Sequence, residues 1–161
     1  MPYTPNYAAG DVLTAAAMNS IGEAWATSTY TPTWTAATTN PAIGNGTLTG
    51  YWQQINKTII GRIKMVAGST TTFGTGTWYF ALPTTARSVY AENDPIGDAI
   101  LVDALNNAYN GTSVIKDTGK LMVYSPVNVV GTIFAYQVSG TNVFTFANQD
   151  SIHINFIYEA A

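Results

Sequence analysis

Few side chains in this sequence could do chemistry, and each is weighed by its neighbours. His153 is the single imidazole, in a stretch where apolar and polar residues alternate, so Ser151 and Asn155 share its face. Hydrolysis needs a positioned base and nucleophile. Ser151 is too close to His153 along one extended strand to form the elbow of a Ser-His-Asp site, and a surface or subunit-contact histidine is expected. Glu92, Asp94 and Asp98, with Asn93 and Gly97 between them, could offer oxygen ligands to Ca²⁺. Their spacing matches no EF-hand, and Asp94-Pro95 is ordinary turn chemistry. The same carboxylates form no conspicuous acid pair and sit in no β-helical repeat, which argues against glycan cleavage. The expectation is therefore no catalytic residue, no metal, no cofactor and no enzymatic activity. Trp52, Tyr79, Tyr90 and Tyr109 could stack on sugar rings, but the stronger reading is structural, since aromatics of a small β domain fill the core, cover edges or pack at a subunit axis.

The elements that must position these residues are bounded by composition. The 161 residues suit one domain plus an arm. Charged residues are only 9% of the chain against 47% hydrophobic. Such sparse charge suggests a surface covered by sister subunits or a larger assembly. The net charge is −3, and the six basic residues Lys57, Arg62, Lys64, Arg87, Lys116 and Lys120 are scattered. Arg62 and Lys64 share a strand face, but two cations do not make a phosphate-tracking stripe, so nucleic acid is not an expected partner. Cysteine is absent, which excludes thiolate metal sites and disulfides. The first apolar run, Val12 to Met18, has no basic region before it, and no stretch approaches the ~18 apolar residues of a membrane span. A soluble protein without membrane contact is expected.

Residues 1–29 read as an attachment arm with a short helix, and residues 30–161 as the β domain. Two prolines and two tyrosines, Tyr3 and Tyr7, mark the first ten residues as extended. Thr14 can cap a helix over Ala15 to Trp25, with Leu13 and Met18 as a hydrophobic staple. Met18, Ile21 and Trp25 then line one side. At roughly three turns this helix needs a partner surface, either its own domain or a neighbouring subunit.

From Tyr30 the chain is rich in Thr, Val, Ile and aromatics, broken by Gly, Asn and Pro, which predicts an all-β domain. Trp78, Phe80 and Leu82 share one strand face, as do Ile152, Ile154, Phe156 and Tyr158, and both sets should point into the core. Further strands are expected at Thr31 to Ala36, Leu48 to Ile55, Thr58 to Val66, Asp98 to Leu105, Ser113 to Lys116, Lys120 to Ser125, Val129 to Val138 and Val143 to Ala147. Turns are expected at Asn45-Gly46, Gly74-Thr75-Gly76, Asn110-Gly111, Asp117-Thr118-Gly119 and Ser139-Gly140. An antiparallel β-sandwich or jelly roll follows.

AGDVLTAAAMNSIGEAW at residues 9 to 25 and the stretch from 30 to 83, which holds NPAIGNGTLTGYW at 40 to 52 and GTGTWYFALP at 74 to 83, resemble elements of bacteriophage virion proteins of actinobacterial phages and their relatives. The resemblance covers about half the chain and departs at Tyr51-Trp52, where the pattern has Gly-Tyr or Arg-Tyr. It implies a capsid decoration, head-fibre or minor tail protein, commonly a homotrimer, fastened to capsid or tail proteins by its N-terminal segment. On that reading Tyr3, Tyr7, Leu13, Met18, Ile21 and Trp25 make the attachment, and the protein belongs on the particle exterior after synthesis in the host cytoplasm. A capsid decoration or head-fibre role is favoured here because no shaft separates arm from domain. The alternative is a tail-tip protein whose β domain binds a receptor or host surface glycan.

Overall fold

The computed structural model describes residues 28–104, 107–129 and 132–161, together with Val12 and Thr14. The described chain is all-β, with the strands β1 (Ser28–Tyr30), β2 (Trp34–Ala36), β3 (Thr47–Ile55), β4 (Thr58–Val66), β5 (Trp78–Ala81), β6 (Pro95–Val102), β7 (Ala108–Asp117), β8 (Lys120–Val129), β9 (Thr132–Gln137) and β10 (Ser151–Glu159). The arm residues Tyr3 and Tyr7, the staple residue Leu13 and the helix residues Met18, Ile21 and Trp25 lie outside the described residues.

All pairings are antiparallel, in the order β1-β3-β4-β10-β6-β7-β8-β5-β2, with β9 also on β8. The final strand is thus inserted at the centre, between β4 and β6. Alternation explains the burial: Ile59, Ile63 and Met65 of β4, Ile152, Ile154, Phe156 and Tyr158 of β10, and Ala99 and Leu101 of β6 all face one core. Trp78, Phe80 and Leu82 join it as expected.

The expected sandwich or jelly roll needs two facing sheets, whereas the described strands are linked in a single sheet that curls around its own core. Tyr30 shows how far the curl goes. It stands on β1 at one end of the sheet, yet its hydroxyl donates to the carbonyl of Ala81 on β5, near the other end, at 3.3 Å. Burial, and secondarily Tyr158, push the Tyr30 phenol pKa well above its ordinary value. An aromatic cluster fills the same interior. Trp34 meets Trp78 edge-on at 4.9 Å, Trp78 lies 4.7 Å from Phe146, and the Trp78 indole N–H donates to the Phe73 carbonyl at 2.9 Å.

Two expected elements are corrected. Asn110-Gly111 is no turn: both lie inside β7, and the hydrogen bond from the Asp103 N–H to the Asn107 carbonyl at 2.9 Å falls before that strand. A side chain at Gly111 would meet the Tyr124 carbonyl and Val123, so glycine there permits close strand approach. Val143 to Ala147 forms no strand; it is a loop that lays Phe144 and Phe146 over the aromatic cluster. Asp150 holds this loop. Its buried carboxylate accepts the backbone N–H groups of Ala104 at 2.9 Å and Ala147 at 2.7 Å.

The NPAIGNGT motif has a structural explanation. The Asn45 side chain accepts from the Thr70 N–H at 2.9 Å and donates to the Ser69 hydroxyl at 3.0 Å, while the Asn45 N–H donates to the Thr70 hydroxyl at 2.9 Å. One asparagine therefore ties two loops together beside Gly44, whose φ of 58° is unstrained only for a residue without Cβ.

Candidate functional site

The same alternation that builds the core places a second set of side chains on the outer face of β3, β4, β10 and β6. Two cross-strand rungs result. Tyr51 lies opposite Arg62, and Arg62 opposite Asn155; one step along, Gln53 lies opposite Ile60, and Ile60 opposite Ile157. The first rung is polar and is extended by Asp98, whose carboxylate accepts from the Asn155 amide at 3.1 Å. The Arg62 guanidinium sits 4.9 Å from the Tyr51 ring centroid, a cation–π contact. The second rung is apolar, with Ile60 and Ile157 exposed by 45% and 53%.

A groove opens here because β6 leaves β10. Their pairing ends at Ile154 opposite Ala99, and a bulge lies between Pro95 and Gly97. A side chain at Gly97 would run into the Asn155 carbonyl, so glycine is needed where the strands are still in contact. The resulting cavity is about 600 Å³ and is lined by both rungs with Ile96, Gly97 and Asp98, a size ordinary for a small-molecule cleft. Among the described residues the Gln53 side-chain nitrogen is buried without a hydrogen-bond partner, a state that costs about 1–3 kcal/mol. A guanidinium, a carboxylate and an amide in one row, beside an aliphatic row, suit a ligand with hydroxyl edges and an apolar face. Asp98 is the one carboxylate among these lining residues, so a two-carboxylate hydrolysis has no second group in the groove.

The aromatic residues singled out from the sequence are not brought together. Trp52 packs half-buried against the core, on the opposite side of β3 from Tyr51, and alone of the four is also among the residues lining the groove. Tyr79 carries the Lys116 ammonium 5.9 Å from its ring centroid. Tyr90 accepts the Glu159 N–H at 2.9 Å, and Tyr109 stacks on Phe144 at 5.2 Å. The acidic trio is also separated: Glu92 pairs with Lys116 at 2.5 Å, Asp94 accepts the Ala91 N–H at 2.8 Å, and Asp98 holds Asn155. Among the described residues no group of three His, Cys, Asp or Glu could hold a metal ion. His153 lies 3.3 Å from the Ser151 hydroxyl. Burial, then the Lys64 charge opposite it, lower its pKa below the usual value.

Sequence reasoning did not assign Tyr51, Gln53, Ile60 or Ile157 to a site, and it noted Arg62 only as sharing a strand face with Lys64 and Asn155 only as sharing the face of His153. Half of the groove was within reach. The Asn56-Lys57 turn, with Asn56 at φ 54°, fixes the β3–β4 register and thereby sets Tyr51 beside Arg62.

No protein-family model and no solved structure matches the chain. Over 135 residues it is 29% identical to a protein of Haemophilus influenzae named Mu-like prophage FluMu defective tail fiber protein. This supports a phage structural protein. The alignment takes in 83% of this chain but 20% of the relative, so the chain spans about a fifth of that protein's length. The similarity is distant and partial, and an actinobacterial origin for the chain draws no support from it.

Proposed function

We propose that this chain is a non-enzymatic virion component mounted on the tail side of a phage particle, fastened through residues 1–29, with a β domain that holds a host-surface saccharide in the outer-face groove. The observation that carries the tail assignment is the similarity to a tail fiber protein over most of this chain. The preference for a capsid decoration or head-fibre role rested on the missing shaft. That argument loses its weight for a chain that aligns with a fifth of its relative's length. The groove supports the binding role: Arg62, Asp98 and Asn155 present planar donors and acceptors, while Ile60 and Ile157 present the apolar strip against which a sugar ring's C–H face can lie.

Two experiments test the parts separately. Removal of residues 2–27, which spares β1, should leave a folded β domain that no longer joins particles; a truncated chain that still joins them would refute the attachment role. Binding of the full chain to an array of immobilised oligosaccharides should fall at least about tenfold in Arg62→Ala and Asp98→Ala, the loss expected for a charged hydrogen bond. Unchanged binding in both variants would dismiss the groove.

A further inference from the structure

The β8–β9 hairpin leaves the body of the molecule. Pairs between β8 and β7 run only as far as Tyr124 opposite Thr112, whereas pairs between β8 and β9 continue to Val129 opposite Thr132. Pro126 sits just beyond the divergence, and having no N–H it cannot extend the ladder toward β7. The buried Ser125 still holds β7, its hydroxyl donating to the Asn110 carbonyl at 2.8 Å; beyond it, over residues 126–129 and 132–135, the paired strands form a two-stranded ribbon, an arrangement marginal in water without further packing.

Its surface is unusual for something left in water. Ile133 is 71% exposed and Phe134 is 46% exposed. As successive strand residues they point to opposite faces, so neither face of the ribbon is wholly polar. Phe134 and Tyr136 form an aromatic pair at 6.1 Å on one face, while Ile133, Ala135 and Pro126 share the other. From Leu121 to Gln149 the sequence contains no charged residue. The two edges also differ. Pro126 guards the β8 edge, but β9 pairs with β8 alone and carries neither proline nor charge, the devices that normally keep an open edge from pairing.

We propose that the β8–β9 ribbon is a docking surface for a second copy of this chain. A strand edge with unpaired backbone groups is complementary to an identical edge, and a surface with no charge meets its own copy without repulsion. The apolar residues on both faces then find cover that the described residues do not provide. This contact is independent of the groove, which lies on β3, β4, β6 and β10.

Sedimentation of the full chain over a range of concentrations tests the proposal. The native protein should associate. Replacing both Ile133→Lys and Phe134→Lys should return it to the single-chain mass of 17.2 kDa, weakening association at least about a hundredfold, while Ile100→Lys, at an exposed isoleucine on the sheet body, should leave association intact. A native chain that stays single, or a double variant that still associates, would overturn the proposal. Should the double variant fail to fold, hydrogen exchange on the native chain decides. Amides of residues 132–137 should gain protection as association proceeds, and exchange that does not change with concentration would refute the contact.

Discussion

The β4–β10 pair and the β8–β9 ribbon are made by the same antiparallel ladder from similar residues, yet they live in different surroundings. Every register position of β10 from Ser151 to Glu159 has a partner on β4, and its alternate side chains Ile152, Ile154, Phe156 and Tyr158 are sealed inside the curl. The ribbon offers Ile133 and Phe134 to solvent, because no strand of the described chain lies over it. Residue type does not separate the two regions; the presence of a neighbouring layer does. In the central pair one face is left open, and the rung of Arg62 and Asn155, continued by Tyr51 of β3, stands on strands that cannot shift without breaking the core. The ribbon has no such backing, which suits a part whose second layer is supplied by association.

Substitutions can break this comparison or sharpen it. The largest effect belongs at the centre. Ile154→Ala should destabilise the domain by about 2–5 kcal/mol in urea unfolding, the cost of a buried cavity, whereas Phe134→Ala should stay within about 0.5 kcal/mol at concentrations where the chain is single. Equal losses at the two sites would erase the distinction. Asp150→Ala comes next, at about 1.5–3 kcal/mol, because it removes a buried carboxylate and the two charge-assisted hydrogen bonds it accepts from the Ala104 and Ala147 N–H groups. Arg87→Ala should cost less than about 1 kcal/mol, since both partners of its 2.7 Å pair with Glu159 are half exposed.

The smallest effect is electrostatic. His153 titrates below the ordinary 6.5 because burial, and then Lys64, disfavour its cation. A histidine whose folded pKa is depressed contributes stability that is present above the unfolded value and lost as pH falls through that value toward the folded one. Lys64→Gln should raise the His153 pKa in an NMR titration without restoring it fully, because burial is the larger cause. A pKa that does not move would remove Lys64 from the account.

What the sequence disclosed follows the same division. Strand β4 and the inward faces of β5 and β10 are legible from alternation, because those strands bury one face and the pattern records it. The placement of β10 between β4 and β6 is not legible, since strand order depends on contacts far apart in sequence. With it went Asn155 and Ile157, and so half of the groove. Asn110-Gly111 carries a local turn signal that close strand packing overrides, and Val143 to Ala147 alternates like a strand because Phe144 and Phe146 cap the core from a loop. The ribbon's exposure was equally hidden, for Val129 to Val138 reads as one more strand and nothing local says that no further strand lies over Ile133 and Phe134.

Attachment to a particle is the claim on which the functional account depends, and imaging intact virions labelled with an antibody against residues 30–161 tests it most directly. Label on the tail is the predicted result; label confined to the head, or particles carrying none of the protein, would contradict it.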